Sequence, residues 1–173
     1  MIRRAAILAL LLAPALTACG LQPLYAGGTS GPVGSTLASV SVAQIEGEAG
    51  WLVRNAIRDR LSAAGEGTDT RYRIDVRLDD DISGFGVRRD DSVTRERRTL
   101  RARWQLVDTQ NGTTLVDATA AADAGIDVVG SEYATIAAER TALEQLSVDI
   151  ADQIVARVAV FARNQAGSAP APS

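Results

Sequence analysis

The side chains able to do chemistry in this sequence are few in kind. All 18 basic residues are arginine, lysine and histidine are absent, and a single cysteine, Cys19, stands among 173 residues. No imidazole base, His-ligated metal, Schiff-base lysine or P-loop lysine is therefore available. One thiol makes neither an internal disulfide nor a Cys-rich zinc site. The chemistry left to this chain is that of carboxylates, guanidinium groups and one thiol.

The thiol has the clearest context. Arg3 and Arg4 precede an apolar run from Ala5 to Ala13, and small residues lead into Cys19. This is the layout of a bacterial export signal over residues 1–18. The run is short of the roughly 20 apolar residues that a membrane span needs, and Pro14 interrupts it. Leu16-Thr17-Ala18-Cys19 looks like a lipobox, in which the thiol is lipidated and the chain is cut before it. Each buried methylene of an acyl chain contributes about 0.8 kcal/mol, so two or more chains hold a protein stably at a bilayer. Gly20, rather than Asp, follows the cysteine, which under enteric sorting rules directs a lipoprotein to the outer membrane, facing the periplasm. Removal of Arg3 and Arg4 with the signal takes the formal charge from −3 to −5.

The guanidinium groups form the second pattern. Tyr72, Ile74, Val76 and Leu78 alternate with Arg71, Arg73, Asp75, Arg77 and Asp79. Leu100, Ala102, Trp104 and Leu106 alternate with Arg95, Arg97, Arg101, Arg103 and Gln105. With a strand period of two, the odd positions share one sheet face. That face carries Arg71, Arg73, Arg77, Arg95, Arg97, Arg101 and Arg103, with Asp75 and Asp79 against them. Guanidinium forks bind phosphate or carboxylate in bidentate fashion, each charged hydrogen bond contributing about 1.5–3 kcal/mol when desolvated. The alternative is a solvated face whose Arg–Asp pairs contribute about 0–1 kcal/mol each. Composition alone leaves both open.

The carboxylates give less. A two-carboxylate glycosidase is compatible with 21 acidic residues, but no pair stands out. Asp79-Asp80-Asp81 and Asp90-Asp91 fit no calcium loop. Gly84-Phe85-Gly86 lacks the third glycine and following helix of a nucleotide fingerprint, and reads as a turn. An exported acidic chain with 4% aromatic residues is a poor candidate for nucleic-acid binding. Trp51 and Trp104 read as core.

The elements that must position these groups follow from periodicity. Residues 19–34 are rich in Gly, Pro and Ser and read as a flexible lipidated tether. Residues 165–173 read as a disordered tail, leaving a domain over 35–164. Thr36 to Ile45 reads as a short strand, and Gly47 to Ala64 as an amphipathic helix closed by Gly65. Arg71 to Asp79 and Ser92 to Val107 read as strands. Asp108 to Gly112 is a hairpin loop with Asn111-Gly112, and Thr113 to Ala124 returns as a strand. Ser131 to Arg163 is a long helix with Ile136, Leu143, Leu146, Ile150, Ile154, Val158 and Phe161 as its apolar stripe. The expected fold is α/β (α+β): a two-layer sandwich of order β-α-β-β-β-α, with two helices packed on one face of a four-stranded mixed sheet.

Three segments in series resemble the LPS-assembly lipoprotein family LptE in its alphaproteobacterial form. They are Cys19-Gly20-Leu21-Gln22-Pro23-Leu24-Tyr25; Gly86 to Arg95 followed by Trp104-Gln105-Leu106-Val107-Asp108; and Ser131 to Arg140 followed by a helix ending near Arg157 to Arg163. The resemblance implies a β-α-β-β-β-α sandwich and a non-enzymatic role. It implies that the chain sits partly inside the β-barrel LptD as a plug and assembly factor, contacts lipopolysaccharide, and needs no cofactor beyond the lipid on Cys19. Under that reading Arg88, Arg89, Arg95, Arg97, Arg101 and Arg103 are the contact surface to barrel or lipid, with Arg standing where some relatives use Lys. Two other readings stay open: an accessory lipoprotein of a lipid-trafficking ABC transporter, and a carboxylate-dependent hydrolase.

Overall fold

The computed structural model describes residues 31–65, 67, 69–87, 93–128 and 131–168. Cys19, the signal, most of the tether and residues 169–173 lie outside them. Seven elements follow in order: α1 (Pro32–Ala38), β1 (Val40–Val42), α2 (Gly47–Ser62), β2 (Tyr72–Val87), β3 (Val93–Asp108), β4 (Thr114–Asp127) and α3 (Glu132–Ser168). The strands lie in the order β1-β2-β3-β4, with β1 parallel to β2 and the rest antiparallel. The expected four-stranded mixed sheet is present, with three helices rather than two among the described residues.

Alternation fixes which sheet face is buried. Ile74, Leu100, Ala102 and Leu106 are 0% exposed and Trp104 is 1% exposed, all at even positions. Against them the long helix lays Leu143, Leu146, Ile150, Ile154 and Val158 at three- and four-residue steps, and all are buried. Fully burying one such side chain contributes about 1.5–3 kcal/mol. The last strand presents Ala118, Ala120, Ala122 and Ala124 on this face. Their small side chains leave room for Ala151, Ala159 and Ala162 of α3 to approach closely. Tyr72 meets Phe161 edge-on, with ring centroids 6.2 Å apart.

Several expectations are corrected. The strand read over Thr36–Ile45 is only Val40–Val42, and the residues before it form a helix. Residues 32–34, assigned to the tether, belong to α1, whose Pro32 supplies the N-terminal φ and whose Val33 and Leu37 are buried one turn apart. Residues 165–168 continue α3 instead of opening the tail. Strand β2 runs eight residues past Asp79, straight through Gly84-Phe85-Gly86, because β3 is long enough to pair with it there. Trp51 is 63% exposed and Ile136 is 54% exposed, so neither is core. Each lies near the start of its helix.

The predicted hairpin is built as expected. Gly112 has φ +71°, and its N–H donates to the Asp108 carbonyl at 2.8 Å. The Asp108 carboxylate accepts from the Gln110 N–H at 2.9 Å, and the Asn111 side chain accepts from the Thr113 N–H at 2.9 Å. These are the local side-chain bonds that favour Asp and Asn in turns.

The two long helices are tied across their outer faces by Arg60, which donates to the Asp152 carboxylate. That hydrogen bond holds the Asp152 carboxyl below its ordinary value. A depressed folded-state value means stability that is complete above the unfolded carboxylate value of about 3.9, and is lost as pH falls through the folded value. Asp152 is 60% exposed, so solvent screening limits the contribution to about 0–1 kcal/mol. Asp152→Asn is expected to lower stability by that amount at pH 7 in urea melts. The difference from wild type should close as pH is lowered below about 4; a constant difference would show that the carboxylate charge is not the cause.

Candidate functional site

Among the described residues, helices cover the even face of the sheet and leave the odd face open. Arg71, Arg73, Arg77, Arg95, Arg97, Arg101 and Arg103 are all exposed on it, as parity required. Of the six contact residues expected from the resemblance, Arg95, Arg97, Arg101 and Arg103 are brought together along β3. Arg88 and Arg89 lie outside the described residues.

The acidic balance of this face differs from the sequence reading. Only Asp75 and Asp79 were set against the arginines, but register places Asp81 of β2 and Asp117, Asp123 and Asp127 of β4 on the same face. Arg95 Nε lies 2.9 Å from Asp127, Arg97 Nε 3.9 Å from Asp123, and Arg103 Nη2 3.3 Å from Asp117. Arg73 Nε and Nη2 grip Asp75 at 2.8 and 3.0 Å, and Arg71 Nε lies 3.7 Å from Asp108. The Arg97 guanidinium also sits 5.5 Å from the Phe85 ring centroid, a cation–π contact. Gln105 first, then Arg103, donates to Asp117 and holds its carboxyl below the ordinary range. Asp75 in turn raises Arg73. The face is thus a charge ladder rather than a uniformly basic patch.

Its least compensated positive point lies mid-sheet. Arg77 stands directly opposite Arg103, and Arg101 faces Asp79 on one side and Ala121 on the other. Among the described residues, Arg77 and Arg101 have no carboxylate within 4.0 Å. Like charges directly across an antiparallel pair repel, and Ala121 and Thr119 leave the β4 side of this cluster low. Arg77, Arg101 and Arg103 are register neighbours there, and of the three only Arg103 is paired, with Asp117. Arg77 was placed on this face by parity but not among the expected contacts; its importance depends on register, which brings Arg103 across from it.

Arg98, at an even position, follows the same parity inward although it is charged. It points to the helix layer, 12% exposed, with Nε and Nη2 2.9 and 2.6 Å from the two oxygens of Asp80. Its Nη1 donates to the Glu139 carbonyl of α3 at 2.9 Å. The hydrogen bond to Asp80 raises the guanidinium further above its already high value. Here an arginine joins two strands to a helix.

Chemically, the open face can hold anions and polar surfaces. Exposed Arg–Asp pairs contribute little, so a phosphate or carboxylate can displace the intramolecular partner at small cost. Among the described residues there is no group of three or more His, Cys, Asp or Glu able to hold a metal ion, and no helix long and apolar enough to cross a membrane.

Comparison with known proteins bears on this arrangement. The chain is similar to the structure of a lipoprotein from Caulobacter crescentus, at 28% identity and a TM-score of 0.61, covering 82% of this chain and 100% of that one. The rare lipoprotein B of Shewanella oneidensis has the same fold at 12% identity and a TM-score of 0.57, covering 73% of this chain and 96% of that one. A minor lipoprotein of Acinetobacter baumannii aligns at 13% identity and a TM-score of 0.54, over 70% and 92% of the two chains. No curated protein matches by sequence. The family model described as LptE, lipopolysaccharide-assembly, matches residues 37–158, which run from the end of α1 into α3 and include every strand. The chain belongs to the LptE lipopolysaccharide-assembly family.

Proposed function

We propose that this protein is an outer-membrane lipoprotein, anchored through acyl chains on Cys19, that seats in the lumen of an LptD-type β-barrel and assists insertion of lipopolysaccharide at the outer surface. The observation that carries this reading is the open face of β2–β4, an exposed ladder of arginine and aspartate in a chain of this family. A barrel lumen is polar, and the charge ladder is complementary to such a wall. The phosphates of lipid A match the neighbouring guanidinium groups of Arg77, Arg101 and Arg103. The role is one of binding, with no catalytic step.

The test separates the two contacts. Arg77→Ser, Arg101→Ser and Arg103→Ser combined should weaken lipopolysaccharide binding by at least tenfold, the loss of about one desolvated charged hydrogen bond. The melting temperature should stay within about 2 °C, because exposed charges contribute little to stability. Unchanged binding at unchanged stability would restrict the arginine face to the barrel contact or to solvent.

A further inference from the structure

Strand β2 has two edges, and most of one is unpaired. The parallel partner β1 engages only Tyr72, Arg73 and Ile74. The Tyr72 N–H donates to the Ser39 carbonyl, and the Ile74 carbonyl accepts from the Ala43 N–H. Even residues of β2 therefore direct their backbone groups away from β3. The register with β3 is unbroken from Tyr72 to Phe85, so the same holds for Val76, Leu78, Asp80, Ile82 and Gly84. Among the described residues, none of their outward N–H or carbonyl groups has a partner. The free stretch from Val76 to Gly84 is roughly 27 Å long at strand rise. Where β1 turns away, Gln44, Ile45 and Glu46 stand back from Val76 and Leu78 across a groove of about 420 Å³.

The sheet treats its other edge differently. On β4, the Gln153 side chain of α3 accepts from the Ala121 N–H at 3.3 Å and donates to the Ala121 carbonyl at 3.1 Å. That cover is one of the usual protections of an edge strand, along with proline, lysine, bulges and short length. Among the described residues, the β2 edge from Val76 to Gly84 has none of these; its protection is the charge of Asp79, Asp80 and Asp81, which a basic partner neutralises.

We infer that this edge receives an extended segment of a partner chain as a fifth strand, with Arg or Lys opposite Asp79 and Asp81. The side-chain pattern selects the partner. On the helix side an added strand would run beside half-buried Val76 and Leu78, past Asp80, whose carboxylate Arg98 holds, and beside Ile82, 42% exposed, which calls for mostly apolar residues. On the open side it would run past Arg77 and beside Asp79 and Asp81, the two carboxylates lying within 4.0 Å of no cation among the described residues, which calls for basic residues opposite them and a neutral or acidic one opposite Arg77. A second copy fits poorly, because pairing the whole free stretch with itself about a two-fold axis centred on Asp80 sets Asp79 against Asp81 and Asp80 against Asp80. The chain's own flanking segments fit no better: residues 19–30 and 165–173 contain no charged side chain. The inference is independent of the proposed barrel role, since neither barrel nor lipopolysaccharide enters its test.

The test uses the mature acylated chain in detergent micelles and a capped octapeptide alternating arginine and valine. Amide exchange followed by NMR should show new protection at Val76, Leu78, Asp80 and Ile82, with the odd amides, already bonded to β3, unchanged. Ile82→Pro removes one outward N–H and leaves the β3 ladder intact; it should weaken peptide binding at least tenfold. Asp79→Asn with Asp81→Asn should do the same without touching the backbone, and a peptide with glutamate in place of arginine should not bind. Peptide shifts spread over the sheet without protection of the even amides would overturn the inference. So would undiminished binding to the double Asn variant, or dimerisation of the chain through this edge without peptide.

Discussion

Trp104→Ala is expected to destabilise the protein by about 3–5 kcal/mol, the cost of a large aromatic removed from a core that cannot fully collapse. Trp104 is 1% exposed in the middle of β3, with Val76 across from it on β2 and Ala118 across on β4. The alanine at 118 gives the indole its room and cannot itself fill the void. The ring lies in the core that sheet and helix layer bury between them. The loss should appear as a lower denaturant midpoint with an unchanged slope, marking a change in stability rather than in compactness. A midpoint within error of wild type would mean that the inward and outward faces of β3 are exchanged.

Arg98→Ala is the second large effect, expected at about 1.5–3 kcal/mol. The guanidinium is two-pronged on Asp80 and reaches the Glu139 carbonyl, so its loss leaves the Asp80 carboxylate, 26% exposed, without its cation. It also detaches β3 from the first third of α3. Arg98→Lys should recover little, because an ammonium cannot reproduce the fork that meets both carboxylate oxygens. The decisive measurement is a double-mutant cycle with Asp80→Ala. Removing both residues should cost less than the sum of the single losses, since neither charge is then left stranded. Strict additivity would show that the two side chains act independently.

Both residues illustrate what could be read from the sequence. Trp104 obeys a strict period of two, so its burial with Leu100, Ala102 and Leu106 followed from spacing alone. The same rule placed all seven odd arginines outward. The turn at Asn111-Gly112 and the stripe from Leu143 to Val158 were equally legible, because each depends on neighbours within a few residues. Arg98 was not legible: an inward arginine is tolerable only when Asp80 and the Glu139 carbonyl meet it, and both are distant in sequence. Helix α1 was hidden in a Gly- and Ser-rich stretch, its seven residues held by burial of Val33 and Leu37 rather than by propensity. From Asp79 onward, three aspartates and Gly84-Phe85-Gly86 imitate a turn, and only pairing with β3 keeps the strand extended. The charge ladder was half visible. Its arginines alternate plainly, but Asp117, Asp123 and Asp127 become their partners only through the register of β4. Membership in the family was legible from three motifs in series, whereas the free edge of β2 depends wholly on where β1 stops.

The central claim is that this lipoprotein acts as the plug of an outer-membrane barrel. The most direct measurement is affinity purification of the full-length acylated protein from detergent-solubilised membranes, with mass spectrometry of what remains bound. An LptD-type barrel recovered at near-equal amounts, and lost when Cys19→Ser abolishes anchoring, is the predicted result. Recovery of an inner-membrane ATPase instead, or of no barrel at all, would contradict it.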